Sequence, residues 1–104
     1  MPTTKEILER DNWTCLYCEG RNGRAVQRDH FIKKAAVRRS LSARIERENP
    51  KYQAAACRVD NEAIGTRCFV PPSKVHLIPE LMKITGAVYG VYSGDPAELR
   101  RVLI

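Results

Sequence analysis

The sequence predicts a small α+β domain, because short amphipathic helix patterns lie near both ends of the chain and two strand patterns lie between them. The 104 residues are enough for one domain with a modest hydrophobic core. No internal repeat or long linker divides the sequence. We therefore treat residues 1–104 as a single domain.

The N-terminal part of the chain predicts a helix, a turn and a strand. Thr3 and Glu6 have the spacing of a capping box, which begins a helix over residues 3–10. An Asn-Gly pair at 22–23 is a strong turn signal. Residues 25–30 follow as the first predicted strand, in which adjacent side chains point to opposite faces.

The middle of the chain predicts one basic amphipathic helix over residues 34–48. Val37, Leu41 and Ile45 recur one helical turn apart, so we expect them to face the core while the basic residues point away. The Asn-Pro pair at 49–50 ends this helix.

The remaining predicted elements are shorter. They are a strand over 52–56, a helix that opens at Cys57 and ends before Gly65, a helix from Pro79 to Ile84 that Gly86 ends, and a final helix starting at Asp95-Pro96. Residues 88–92 fit neither pattern clearly.

The net charge of +6 comes from one stretch. Residues 33–58 contain eight of the 18 basic residues and two of the 12 acidic ones, so the rest of the chain is neutral. Such a stretch favours an anionic partner such as nucleic acid, although a solvated helix face would have the same composition. Without a membrane-spanning pattern or an apolar leader, we expect a cytoplasmic protein, in which closely spaced cysteines indicate metal binding.

One ordered set of residues resembles a known family. The set is Cys15-x-x-Cys18, then Asp29-His30, then Cys57-x-x-Asp60-Asn61. It resembles the HNH endonucleases over about residues 5–70. The resemblance implies a ββα-metal (His-Me finger) core with a zinc-knuckle clip and flanking short helices, with residues 71–104 as a C-terminal helical extension.

The resemblance also implies a catalytic role for three residues. His30 is the general base, and Asp29 and Asn61 hold one divalent cation, Mg²⁺ or Mn²⁺. The chemistry agrees, because imidazole titrates near neutral pH and can take a proton from water. Carboxylate and amide oxygens suit a hard cation that neutralises charge on a phosphodiester.

Cys15, Cys18 and Cys57 are the implied ligands of a separate, structural zinc ion. The family usually has a fourth cysteine where this chain has Asp60. We prefer Asp60 as the fourth ligand, with Cys68 as the alternative and loss of the zinc site as a third reading. Two other departures are Tyr52, at the position of an Asn that ties down the loop after the histidine, and Ile64, at the position of a Lys. Asn49 is a candidate for the role of the missing Asn.

The expected partner is DNA, bound with weak sequence preference because phosphate contacts carry no base information. The candidate contacts are Lys33, Lys34, Arg38, Arg39, Arg44 and Arg58. A homodimer or a phage or restriction partner protein is a further possibility, and RNA is not excluded as a substrate. Two rival interpretations stay open: a non-catalytic zinc-knuckle DNA-binding module derived from such a nuclease, and a zinc domain that binds another protein.

Overall fold

The computed structural model describes residues 2–102, in which six helices combine with two small sheets. The helices are α1 (Thr4–Arg10), α2 (Lys34–Val37), α3 (Leu41–Glu46), α4 (Arg58–Ile64), α5 (Ile78–Thr85) and α6 (Pro96–Val102). The strands are β1 (Ala25–His30), β2 (Gln53–Cys57), β3 (Phe69–Val70) and β4 (Gly90–Val91), and 3-10 turns cover Pro50–Tyr52 and Pro72–Leu77. The predicted α+β class is confirmed. Each of the described helices is too short or too polar to cross a membrane.

The central sheet is an antiparallel pair of β1 and β2. Asp29 lies opposite Ala54 and His30 opposite Gln53, while Cys57 pairs with Ala25 at the other end of the ladder. Every residue of β2 is buried. Helices α1 and α4 both pack against the two strands, and the alanines of β2 allow this close approach.

Helix α4 begins directly where β2 ends. The side chain of Cys57 caps the helix, and its sulfur accepts a hydrogen bond from the backbone N–H of Asp60 at 3.4 Å. The prediction of a helix opening at Cys57 and ending before Gly65 is confirmed. This cap brings Cys57 and Asp60 to the same end of the helix.

A second, parallel pair of strands resolves the ambiguous residues 88–92. Phe69 pairs with Gly90 and Val70 with Val91, and the chain then carries Tyr92 into the interior with no exposed surface. The ring of Tyr92 packs against Tyr17, with centroids 5.7 Å apart. The C-terminal part of the chain is therefore joined to the core.

The prediction of one continuous helix over 34–48 is wrong. The chain breaks between α2 and α3, where Ser40 is extended (φ −147°) and its hydroxyl accepts a hydrogen bond from the N–H of Ala43 at 3.2 Å. Leu41 and Ile45 are 68% and 63% exposed, so the prediction that they face the core is wrong. The buried residues of this segment are Ala36 on α2 and Ala43 on α3. The break turns α3 towards α5, and the small side chain of Ala43 allows the two helices to pack closely.

The predicted strand over 52–56 begins one residue later, at Gln53. The side chain of Asn49 accepts a hydrogen bond from the N–H of Lys51 at 3.0 Å and so caps a 3-10 turn that includes Tyr52.

Removing the cap of α3 tests the origin of the break. Ser40→Ala should lower the free energy of unfolding by about 1 kcal/mol, because it leaves the N–H of Ala43 without its partner. Ser42→Ala, on the exposed part of the same helix, is the control and should change stability by less than about 0.5 kcal/mol. Urea denaturation measures both. Equal effects would mean that the Ser40 cap does not hold the break.

Candidate metal centre and basic cleft

Four buried side chains form a cluster at one end of the β1–β2 ladder. Cys15 and Cys18 come from the loop after α1, while Cys57 and Asp60 come from the junction of β2 and α4. Their sulfur and carboxylate atoms all lie within 4.8 Å of one another, so the group could hold a metal ion.

The spacing of these atoms is compatible with zinc. Bond lengths of about 2.3 Å to sulfur and about 2.0 Å to oxygen imply tetrahedral edges of about 3.8 Å between sulfurs and about 3.5 Å between sulfur and oxygen. The sulfurs of Cys18 and Cys57 are 3.8 Å apart, and Oδ2 of Asp60 lies 3.2 Å and 3.1 Å from the sulfurs of Cys15 and Cys57. The sulfur–sulfur distance already fits, and the carboxylate oxygen would have to move away from the two sulfurs by only about 0.3 to 0.4 Å.

The charge of the cluster is also suited to a cation. Burial raises the pKa of the Cys15 thiol to about 11 and also raises that of Cys57. Burial would raise the pKa of Asp60 too, but hydrogen bonds from Cys18 and Asn22 help to bring it below its ordinary value. The carboxylate is therefore ionised, and a cation would bind by displacing protons from the thiols.

Cys68 lies outside this cluster. It is partly buried beside a second cleft, with Arg67, Phe69 and Tyr89 around it. Of the two candidates for a fourth ligand, the structure brings Asp60, and not Cys68, to the three cysteines.

A basic cleft of about 380 Å³ lies at the other end of the ladder. It is lined by Arg28, Asp29, His30, Lys33, Lys34, Ala35, Arg47, Asn61, Gly65 and Thr66. The structure thus brings the three predicted catalytic residues together with four cations. The cleft is suited to an anionic ligand.

His30 is neutral in this environment. Its side chain is half-buried, but its Nε2 atom is fully buried and has no hydrogen-bond partner among residues 2–102. Burial, together with the positive charges of Arg47 and Arg28, lowers the pKa of the imidazole from 6.5 to about 4. At neutral pH the imidazole is therefore uncharged, and one of its two ring nitrogens can accept a proton.

The two predicted cation ligands beside His30 differ in availability. Asp29 is 2% exposed; its Oδ1 lies 3.0 Å from Nζ of Lys33, and its Oδ2 accepts a hydrogen bond from the hydroxyl of Tyr17. Nδ2 of Asn61 donates to Oε1 of Gln27 at 2.8 Å, which leaves the amide oxygen as its ligand atom. A cation at Asp29 therefore requires Lys33 to move.

The predicted nucleic-acid contacts separate into two groups. Lys33 and Lys34 line the cleft. The others do not: Arg38, Arg39 and Arg44 are exposed on the α2–α3 segment, and Arg58 forms an exposed ion pair with Glu62.

Arg28 and Arg47 also line the cleft and were not among the predicted contacts. Strand periodicity was a usable signal for Arg28, since it lies two residues before His30 on β1 and so on the same face. Arg47 had no such signal, because its position depends on the break before α3.

The loop after His30 is held by residues other than the predicted Asn49. The N–H of Phe31 donates to the carbonyl of Tyr52 at 2.9 Å, the hydroxyl of Tyr89 donates to the carbonyl of Phe31 at 2.7 Å, and Arg47 donates to the carbonyl of Ile32. The side chain of Asn49 instead bonds within its own turn, to Lys51 and Glu46. The prediction for Asn49 is wrong, because the 3-10 turn uses its side chain.

Comparisons with known proteins give no relative of this chain: no family model, curated protein or solved structure matches it. The chemistry of the two sites is therefore inferred from the residues that form them.

The low pKa of His30 predicts a pH-dependent loss of stability. Between about pH 6.5 and about pH 4 the unfolded chain binds a proton at His30 that the folded chain does not. The free energy of unfolding therefore decreases as the pH is lowered through this window. His30→Gln should make the loss between about pH 7 and about pH 5 smaller than in the wild type.

Denaturation with urea at the two pH values measures this difference. His76→Gln, which replaces an exposed histidine, is the control and should behave as the wild type does. An identical pH dependence in His30→Gln and the wild type would contradict a depressed pKa at His30.

Proposed function

We propose that this protein is a metal-dependent DNA endonuclease of the HNH type that hydrolyses phosphodiester bonds in the basic cleft. The observation that carries the proposal is the neutral imidazole of His30, whose buried Nε2 has no partner among the described residues, beside a cleft that four cations line. A general base and an anion-binding surface within one cleft are two of the features that assist attack of water on a phosphodiester.

In the proposed reaction, His30 acts as the general base. A water molecule attacks phosphorus as its proton passes to the unprotonated ring nitrogen of His30, and the bond from phosphorus to O3′ breaks. The products are a 5′-phosphate and a 3′-hydroxyl, whose oxygen takes a proton from solvent. A bound phosphodiester would offset the positive charges of Arg47 and Arg28 and so raise the pKa of His30, while burial would continue to lower it.

The cationic side chains would hold the phosphate at this point. Arg28 and Arg47 are each anchored through one guanidinium nitrogen, to the carbonyls of Pro2 and Ile32. Anchoring reduces the entropy lost on binding and leaves the other nitrogens as donors. Lys34 is exposed, with no hydrogen-bond or ion-pair partner for its ammonium among the described residues, and is suited to a direct phosphate contact.

Asp29 and Asn61 would hold Mg²⁺ or Mn²⁺, which would neutralise charge on the phosphate and on the leaving oxygen. In the same proposal Cys15, Cys18, Cys57 and Asp60 hold Zn²⁺ as a structural ion. The succession of β1, β2 and α4 supports a ββα-metal core, since both sets of residues lie on these three elements and the loop before β1.

The contacts of Asp29 favour a second candidate function. Lys33 and Tyr17 each contact one of its carboxylate oxygens, so Asp29 can stay buried without a bound cation. A zinc-knuckle module that binds DNA without cleaving it would need the basic cleft but no cation at Asp29. The two functions differ in a single observable, cleavage.

Nicking of supercoiled plasmid with Mg²⁺, with Mn²⁺ or with EDTA tests the nuclease. His30→Ala should reduce the rate by about 10²- to 10⁴-fold, because it removes the base. His76→Ala is the matched control and should retain full activity. A folded wild-type protein that binds the plasmid but never cleaves it with either metal would favour the binding module. Unchanged cleavage by His30→Ala would exclude His30 as the base.

The salt dependence of DNA affinity tests the cleft as the phosphate site. Lys34→Met should weaken binding and reduce the slope of log affinity against log salt by about 1, because one phosphate contact is lost. Lys83→Met removes an exposed charge from α5 and should leave the slope unchanged. Fluorescence anisotropy with a labelled duplex gives both slopes. Equal slopes in the two variants would place DNA elsewhere on the surface.

A further inference from the structure

The two oxygens of the Asp60 carboxylate have different surroundings. Oδ2 lies 3.2 Å and 3.1 Å from the sulfurs of Cys15 and Cys57. Oδ1 accepts two hydrogen bonds from outside the cluster, from the hydroxyl of Tyr92 at 2.8 Å and from Nδ2 of Asn22 at 2.9 Å. Both Asp60 and Tyr92 are fully buried, so no water competes for these bonds. The carboxylate is held with one oxygen towards the sulfurs.

The turn that follows Tyr92 lies directly on the first cysteine pair. We call residues 92–94 the closing turn. Nδ2 of Asn22 also donates to the carbonyl of Gly94 at 2.6 Å, and Arg21 donates to the carbonyl of Ser93 at 2.6 Å. A Cβ atom on Gly94 would lie 2.5 Å from Cβ of Cys18, so only glycine fits there. The closing turn therefore contacts the Cys15–Cys18 loop as well as Asp60.

We propose that Tyr92, together with Asn22, is a positioning residue of the metal centre, and that metal binding and docking of the closing turn stabilise each other. The inference rests on the proposed zinc site. It explains how a carboxylate can serve where three cysteines supply the other ligands: two outside donors fix its rotation and leave one oxygen for the ion. Groups that orient a ligand in this way typically contribute 10- to 100-fold to metal affinity.

Charge also favours this arrangement. Three thiolates and a carboxylate carry more negative charge than one divalent cation neutralises, and the cluster is buried. The Tyr92 hydroxyl and the Asn22 amide place two donors at the oxygen that faces away from the ion, and the N–H of Asn22 lies 3.3 Å from the sulfur of Cys18. These donors offset part of the excess charge.

A pair of tyrosine variants tests the proposal. Tyr92→Phe should weaken binding of Zn²⁺ by 10- to 100-fold, measured by competition with a chromophoric chelator, and should alter the absorption spectrum of bound Co²⁺. Tyr89→Phe is the matched control. It also removes a buried hydroxyl, but that hydroxyl donates to Phe31 and not to Asp60, so the affinity for zinc should be unchanged.

The outcomes separate this inference from the proposal on which it rests. If the folded wild type binds neither Zn²⁺ nor Co²⁺, both the zinc site and the inference are overturned. If the wild type binds zinc and Tyr92→Phe binds it equally well, only the role of Tyr92 is overturned. None of these measurements depends on cleavage of DNA.

A glycine pair covers the case in which Tyr92→Phe does not fold. Gly94→Ala should weaken zinc binding and raise hydrogen exchange in the closing turn, because the new Cβ pushes the turn off Cys18. Gly86→Ala has similar backbone strain, with φ of +72° against +95° at Gly94, but its Cβ would meet no atom within 4 Å. It should leave the zinc affinity unchanged. Equal zinc affinity in the two variants would overturn the coupling between the turn and the metal.

Discussion

The pairing of β1 with β2 is the constraint on which both sites depend. The ladder sets Cys57 opposite Ala25 at one end and His30 opposite Gln53 at the other, so a shift of one residue would separate both sets of functional side chains. Three buried alanines in β2 let α1 and α4 pack closely on the ladder. The register is therefore fixed by packing on both faces, although the strands are short.

Tyr17 connects the two ends of the ladder. It lies between Cys15 and Cys18, yet its hydroxyl donates to Asp29 in the cleft, and its ring packs against Tyr92. Burial and the charge of Asp29 raise the pKa of Tyr17, so the hydroxyl remains a donor at neutral pH. The Cys15–Cys18 loop is therefore in direct contact with Asp29 through this hydroxyl.

Local signals in the sequence were sufficient for much of the fold. The cap at Thr3, the strand ending at His30 and the helix opening at Cys57 depend on neighbours in the chain, and each lies where it was predicted. The cluster of Cys15, Cys18, Cys57 and Asp60 was predicted from the resemblance in residue order, which carries information on distant contacts that spacing alone does not.

Features that depend on tertiary contacts could not be predicted in this way. Leu41 and Ile45 have the spacing of a core stripe, but the cap at Ser40 gives the buried position to Ala43. Tyr17 and Tyr92 are ordinary aromatic residues in the sequence, and their roles arise only when the ladder and the second sheet place their hydroxyls beside Asp29 and Asp60. The contacts of Tyr92 and Gly94 with Asp60 and Asn22 were missed for the same reason.

Analysis of the DNA ends left by zinc-loaded protein with Mg²⁺ or Mn²⁺ tests the central claim most directly. Attack of water with departure of O3′ leaves a 5′-phosphate and a 3′-hydroxyl, so a DNA ligase should reseal the nicks without prior treatment of the ends. Nicks that ligase reseals only after removal of a 3′-phosphate, or folded and zinc-loaded protein that produces no nicks, would contradict the account.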